Sequence, residues 1–309
     1  MRFFGWFRQA PQEQDDARKS PVPRRWVWLG GRRVLTNTPY ILPKDKLEGD
    51  RLDLQHHLLK LAAGGNYRAP IRSPRAILDV ACGTGIWARE MAQQFKRAQV
   101  IGIDIDRTPL ERSLEILGPG GQFPTNFRFQ QADVLKRLPF DDERFDFVHS
   151  RLMAGFVPWE QWPAVVAEMA RVTQRGGHIE LVESEGQITT SPGFSVIYEA
   201  TKKLAIQRGI AHPDGAIPNI AEYLRLAGIT RVQNQRVLLG ADPKGQPDPR
   251  QQRLLIADVL AAYGNLEAIF VKLGILSAAD FRAALAAAKE ELPEVGITMP
   301  MNVTFGIKL

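Results

Sequence analysis

The chain has 309 residues, 44% of them hydrophobic, a net charge of +6 and a single cysteine, Cys82. That apolar content supports a sizeable core and excludes wholesale disorder, and one cysteine excludes an internal disulfide. No apolar run approaches the ~20 residues of a membrane span, and MRFFGWFRQA lacks the apolar core of a secretory signal, so a cytoplasmic protein is expected.

Residues 1–37 read as a basic leader with a hairpin. Residues 1–33 hold eight basic and three acidic side chains, so the remaining chain is close to neutral. A nucleic-acid enzyme more often spreads its basic residues over the face that holds phosphates. Phe3, Phe4, Trp6 and Phe7 give the leader an apolar grip for an anionic membrane surface, although a solvated extension is the commoner role. Gly30-Gly31 between Trp26–Leu29 and Arg32–Leu35 signals a two-residue hairpin. Residues 38–75 read as a helical cap, with a helix over 45–62, a Leu47-Leu54-Leu58-Leu61 stripe and Gly64-Gly65 at its end.

From Ala76 to 309 short β-rich runs alternate with helical stretches. Strands are predicted at 76–80, 99–103, 127–130, 145–149, 177–183, 230–239 and 301–308. Helices are predicted at 86–95, 161–174, 194–208, 218–227, 251–273 and 278–291. This alternation predicts an α/β fold, a mostly parallel sheet with helices on both faces. The stretches near 190–228 and 249–292 read as helical insertions.

The strongest chemical signal is Ala76-Ile-Leu-Asp-Val-Ala-Cys-Gly-Thr-Gly-Ile-Trp-Ala88, a strand running into Gly83-Thr84-Gly85 and then a helix. Its spacing also satisfies the dinucleotide fingerprint, which alone is weak. Asp79 separates the cofactors. A nicotinamide dinucleotide would place its pyrophosphate on this turn, where a carboxylate repels it. S-adenosylmethionine carries an ammonium and a sulfonium, which a carboxylate favours. Val100-Ile-Gly-Ile-Asp104 is a second strand ending in an acid, 19 residues after Gly85, near the ~20-residue spacing for a ribose contact. Asp104 is preferred to Asp106 because it directly ends the apolar run, and Ile105 offers an adenine wall. Asp133-Val134 follows a third strand and suits the adenine amino group, or simply a turn. Phe145–His149 reads as the central strand, and its exit Ser150-Arg151 lies where donor and acceptor meet. His149 is a candidate base or a core histidine. Glu183 ends the next strand, as a candidate base or a solvated loop acid.

In order, LDVACGTG, GIDID, QADVLKRLPF, FDFVHSRLM and RGGHIELVE resemble the class I S-adenosylmethionine-dependent methyltransferases. Ala81 stands where that family often has glycine. The upstream run from Tyr40 to His57, with Gly65–Ile71, resembles the LaeA-like (TAM-domain) group. The resemblance covers roughly residues 38–186. It implies a Rossmann-like seven-stranded sheet whose antiparallel sixth and seventh strands are 230–239 and 301–308. It also implies a lid formed by the N-terminal helix, which makes Arg51, Gln55, His56 and Tyr67 candidates to line the site. The implied cofactor is S-adenosyl-L-methionine, with S-adenosyl-L-homocysteine as product.

The chemistry expected is direct in-line displacement, for which alignment and exclusion of water suffice. No metal cluster is expected, since HxxxH and CxxC are absent and adjacent His56-His57 point apart on a helix. An Asn/Asp-Pro-Pro-aromatic motif is missing after the fourth strand, where His149-Ser150-Arg151-Leu152 stands. The neutral body and helical insertions favour a small, fairly apolar acceptor, such as a secondary metabolite. A regulatory or scaffold protein of LaeA type, and a nucleic-acid methyltransferase anchored by the leader, remain the rival readings.

Overall fold

The computed structural model describes residues 26–29, 32–35, 42, 45–107 and 123–309. The expectations placed on residues 1–25 and on the Gly30-Gly31 turn lie outside the described residues. β1 (Trp26–Leu29) and β2 (Arg32–Leu35) pair antiparallel, as the hairpin signal requires.

α1 (Lys46–Ala63) starts at Asp45, whose side chain accepts from the Glu48 N–H, and ends at Gly64 in the left-handed region. Its leucine stripe is only partly inward, since Leu47 and Leu61 are exposed. The buried face instead joins Glu48, Arg51 and His56 to Leu58 and Leu59. Polar residues tolerate that burial because they meet one another and the cavity described below.

Seven strands form one sheet in the order β5-β4-β3-β6-β7-β9-β8. They are β3 (Ala76–Val80), β4 (Gln99–Asp104), β5 (Phe127–Gln131), β6 (Phe145–Arg151), β7 (Thr173–Ser184), β8 (Ile229–Leu239) and β9 (Met299–Lys308). β5, β4, β3, β6 and β7 run parallel. β9 is antiparallel to both β7 and β8. β8 therefore points with the parallel strands and only the last strand is reversed, so the sixth and seventh strands pair antiparallel in a mostly parallel sheet. The helices are α2 (Ile86–Gln94), α3 (Trp162–Val172), α4 (Pro192–Gln207), α5 (Ile220–Leu226), α6 (Pro249–Gly264), α7 (Glu267–Lys272) and α8 (Ala278–Val295).

Two boundaries differ from the sequence reading. The helix expected over 161–174 stops at Val172, and β7 starts at Thr173 and runs through Gly176-Gly177. Those glycines thus sit in a strand rather than breaking a helix. A Cβ on Gly177 would lie 2.9 to 3.1 Å from the carbonyl oxygens of Gln174, Asp146 and Phe145, so the irregular start of the β6–β7 ladder needs glycine. The run 251–273 divides into α6 and α7 at Asn265-Leu266, where Gly264-Asn265 has low helix propensity. Pro249–Lys272 is apolar enough on average to suit a membrane span, yet this break and the ion-paired Asp258 interrupt it.

Alternation along the strands divides the core. Leu78, Val80, Val148, Ile179 and Leu181 face α3 and α5, packing with Trp162, Val165, Met169 and Leu224. Ile77 and Phe147 face the other side, with Leu58, Trp87, Met91, Leu255 and Leu292. A third cluster joins α4, α7 and α8 through Ile197, Leu204, Phe270 and Phe281. The roof over the sheet's C-terminal edge is thus packed in its own right.

Candidate active site

The C-terminal ends of β3, β4 and β6 open into a cavity of about 390 Å³ beneath α1 and α6. That volume lies in the range of small-molecule sites. From the β3 turn it is lined by Ala81, Cys82, Gly83 and Thr84, and from β4 by Asp104 and Ile105. The stretch after β5 adds Asp133, Val134 and Leu135. Ala81, Gly83 and Gly85 all have positive φ, so the chain leaves β3 in a tight turn that aims backbone at the cavity. Gly85 serves as the N-cap of α2 rather than as a lining residue.

Asp104 holds that turn. Its carboxylate accepts from the Gly83 N–H at 3.0 Å and from the Asp106 N–H at 3.0 Å. Asp106, the rival acid, is buried and absent from the lining. Asp133 accepts from the Leu135 N–H and presents its edge to the cavity beside Val134. Thr84 donates to Asp53 Oδ1 at 2.5 Å, which ties the turn to α1.

Several expectations need correction. Asp79 does not line the cavity: it is buried beneath the turn, with Oδ1 3.2 Å from His149 Nδ1. His149 does not face an acceptor there either. It shares the strand face of Phe147, is 1% exposed and stacks on Trp87 at 3.7 Å between ring centroids. Burial pushes its pKa below the ordinary value against the pull of Asp79. This is a neutral core histidine, the second of the two roles its sequence position allowed. Ser150 points to the opposite face and is fully buried. Tyr67 lies off the cavity, its hydroxyl accepting from Gln94 Nε2 at 3.0 Å.

Arg51, Gln55 and His56 do line the cavity. Arg51 spans Glu48 at 2.7 Å and Asp258 of α6 at 2.6 Å, and Gln55 donates to Asp258 at 3.1 Å. This buried latch joins the cap helix to the roof. Burial raises the pKa of Asp258, and Arg51 opposes that shift. The sequence reading passed over Asp258, although a single acid within the apolar run Leu254–Leu260 was a signal. His56 Nδ1 accepts from Arg151 Nη2 at 2.8 Å. Burial, then the Arg151 charge, lowers the His56 pKa to about 3, so the ring is neutral.

His56, His57 and Glu90 bring ligand atoms within 4.8 Å of one another, so the two adjacent histidines do not simply diverge. Arg151 occupies His56 Nδ1, and Lys60 Nζ sits 2.5 Å from Glu90 Oε2.

On the roof side, Glu183, Ser184, Gln187, Thr201, Val259, Ala262, Tyr263 and Leu266 complete the lining. Glu183 is 5% exposed and accepts from the Met153 and Ala154 N–H groups, both at 2.9 Å. Burial lifts its pKa to about 8 despite those bonds. Tyr263 Oη donates to Gln187 at 2.9 Å. Neither Gln187 nor Tyr263 stood out by spacing.

With this geometry in view, the relatives are informative. Residues 77–177, which hold the turn, Asp104 and Arg151, match the family described as "Methyltransferase domain". The chain is 36% identical over 239 residues to "Methyltransferase pytC" of Aspergillus terreus, covering 74% of this chain and 69% of that one. It belongs to the class I S-adenosylmethionine-dependent methyltransferases, in the LaeA-like group. It is also 34% identical over 167 residues to "Secondary metabolism regulator LAE1" of Cochliobolus heterostrophus, covering 52% of this chain and 48% of that one. The family cofactor fits the residues present: paired acids for hydroxyl and amine donors, an apolar wall at Ile105, Val134 and Leu135, and a tight glycine turn.

Proposed function

We propose that this methyltransferase modifies a small, largely apolar acceptor held between the β6 exit and the helical roof. The observation that carries this reading is the continuity of the cavity. The acids that suit a nucleoside and the roof residues Val259, Ala262, Tyr263 and Leu266 line one continuous space. Bound S-adenosylmethionine supplies a methyl group made electrophilic by its sulfonium.

Asp104 and Asp133 orient the nucleoside end. The roof excludes water and presses the acceptor toward the strand ends, the alignment that displacement chemistry needs. Glu183 is the carboxyl best placed to take an acceptor proton, since it lines the cavity with a pKa of about 8. A hydroxyl or carboxylic acid acceptor matches such a base. The named function of LAE1 supports a second reading, in which cofactor occupancy serves regulation.

The test is incubation with S-adenosylmethionine and a panel of apolar phenols, enols and carboxylic acids, with methylated products read by mass spectrometry. A product lost in Glu183→Gln supports the acceptor reading. Tight S-adenosylhomocysteine binding without turnover on any acceptor favours regulation.

A further inference from the structure

In the roof half of the cavity one polar side chain uses its two ends unequally. Gln187, Tyr263 and Met299 all line the wall there. Tyr263 Oη donates to Gln187 Oε1 at 2.9 Å. Among the described residues, the nitrogen of that carboxamide has one hydrogen-bond partner, Met299 Sδ at 3.5 Å. A carboxamide nitrogen carries two donors, and a thioether sulfur is a weak acceptor. The amide oxygen is thus well bonded and the nitrogen barely used, beside an apolar wall of Val259, Ala262 and Leu266.

The surroundings hold this amide in place. The Tyr263 ring makes edge contacts with Phe194 at 5.2 Å and Tyr198 at 6.2 Å between centroids. Burial, with Tyr198 nearby, raises the Tyr263 pKa, so its hydroxyl keeps the proton it gives to Gln187. The Gln187 backbone N–H donates to Tyr198 Oη at 3.3 Å. Gly186, at φ +107°, lets the chain come that close, since a Cβ there would collide with the Tyr198 hydroxyl. With its oxygen fixed by Tyr263, the amide has its nitrogen oriented before a ligand arrives.

A half-buried donor with a poor partner favours a ligand that brings it an oxygen and disfavours one that lacks it. We propose that Gln187 reads a hydrogen-bond-accepting oxygen on the methyl acceptor, with Tyr263 as its positioning residue. The substrate class is then a largely apolar hydroxyl compound that also carries a ketone or ester carbonyl, away from the methylated group. Glu183, earlier at the β7 exit and lining the same cavity, takes the hydroxyl proton, and Gln187 Nε2 donates to the carbonyl. This rests on the acceptor reading above.

Calorimetry on the full chain saturated with S-adenosylhomocysteine tests this with two probes: 6-acetyl-2-naphthol, and 6-ethyl-2-naphthol, which has a methylene in place of the carbonyl. The wild type is expected to bind the acetyl compound about three- to thirtyfold more tightly. Gln187→Met should bring the two affinities together by weakening the acetyl compound alone. Tyr263→Phe frees the amide to turn and should narrow the gap without closing it. Equal or inverted affinities in the wild type, or a gap that survives Gln187→Met, would overturn the assignment and leave the apolar-acceptor reading standing. Wild-type protein that binds neither probe would remove that reading and this inference together.

Discussion

The parallel end of the sheet, β5-β4-β3-β6, and the end containing the reversed strand, β7-β9-β8, meet at one cavity but are built from contacts of different range. At the parallel end the site residues lie within a few positions of their strand ends. Asp104 reaches Gly83, 21 residues away, and Asp133 caps its own turn. At the other end the decisive contacts join distant segments: Arg51 with Asp258, 207 residues apart, and Tyr263 with Gln187, 76 apart. The cofactor side is therefore set by local strand–turn chemistry, and the acceptor side depends on how the cap and roof dock.

Breaking the latch gives the largest expected effect. Arg51→Met leaves Glu48 and Asp258 buried without their cation and should cost about 3–5 kcal/mol in urea unfolding. Adding Asp258→Leu should recover part of that loss, since an apolar replacement removes one uncompensated charge. A cost near zero for the single variant would mean the roof does not depend on this pair.

Asp104→Ala attacks the other end. It should weaken S-adenosylhomocysteine binding about ten- to hundredfold by calorimetry, through loss of charge-assisted hydrogen bonds. If affinity survives, the nucleoside does not lie at β4.

Glu183 sits where the two ends join, and it makes the comparison pH-dependent. Its folded pKa of about 8 exceeds the ordinary 4.5, so the folded protein keeps a proton that the unfolded chain releases. Stability contributed by this group should fall as pH rises from about 4.5 to 8 and level off above. Glu183→Gln should flatten that slope in melts recorded across the range, and methyl transfer by the wild type should rise toward pH 8.

Tyr263→Phe should have the smallest effect, about 0.5–1.5 kcal/mol from the lost bond to Gln187. S-adenosylhomocysteine affinity should not move, while the KM for an acceptor should. A change in cofactor affinity would blur the division between the two ends.

The sequence by itself determined the α/β alternation, the turn after β3 and the acids at Asp104 and Asp133, because strand ends and tight turns are encoded by neighbouring residues. It also singled out Arg51, Gln55 and His56, through the resemblance of the cap rather than through spacing. Only the tertiary structure decided the rest. Strand alternation turns Ser150 to the opposite face, whereas His149 and Arg151 share one face, and only position along β6 leaves His149, beside Asp79, in the core under Trp87 and brings Arg151, at the strand exit, to the cavity. Asp258, Gln187 and Tyr263 gain their roles from partners far along the chain. Such pairings arise when helices pack over a sheet, and no local pattern of residues records them.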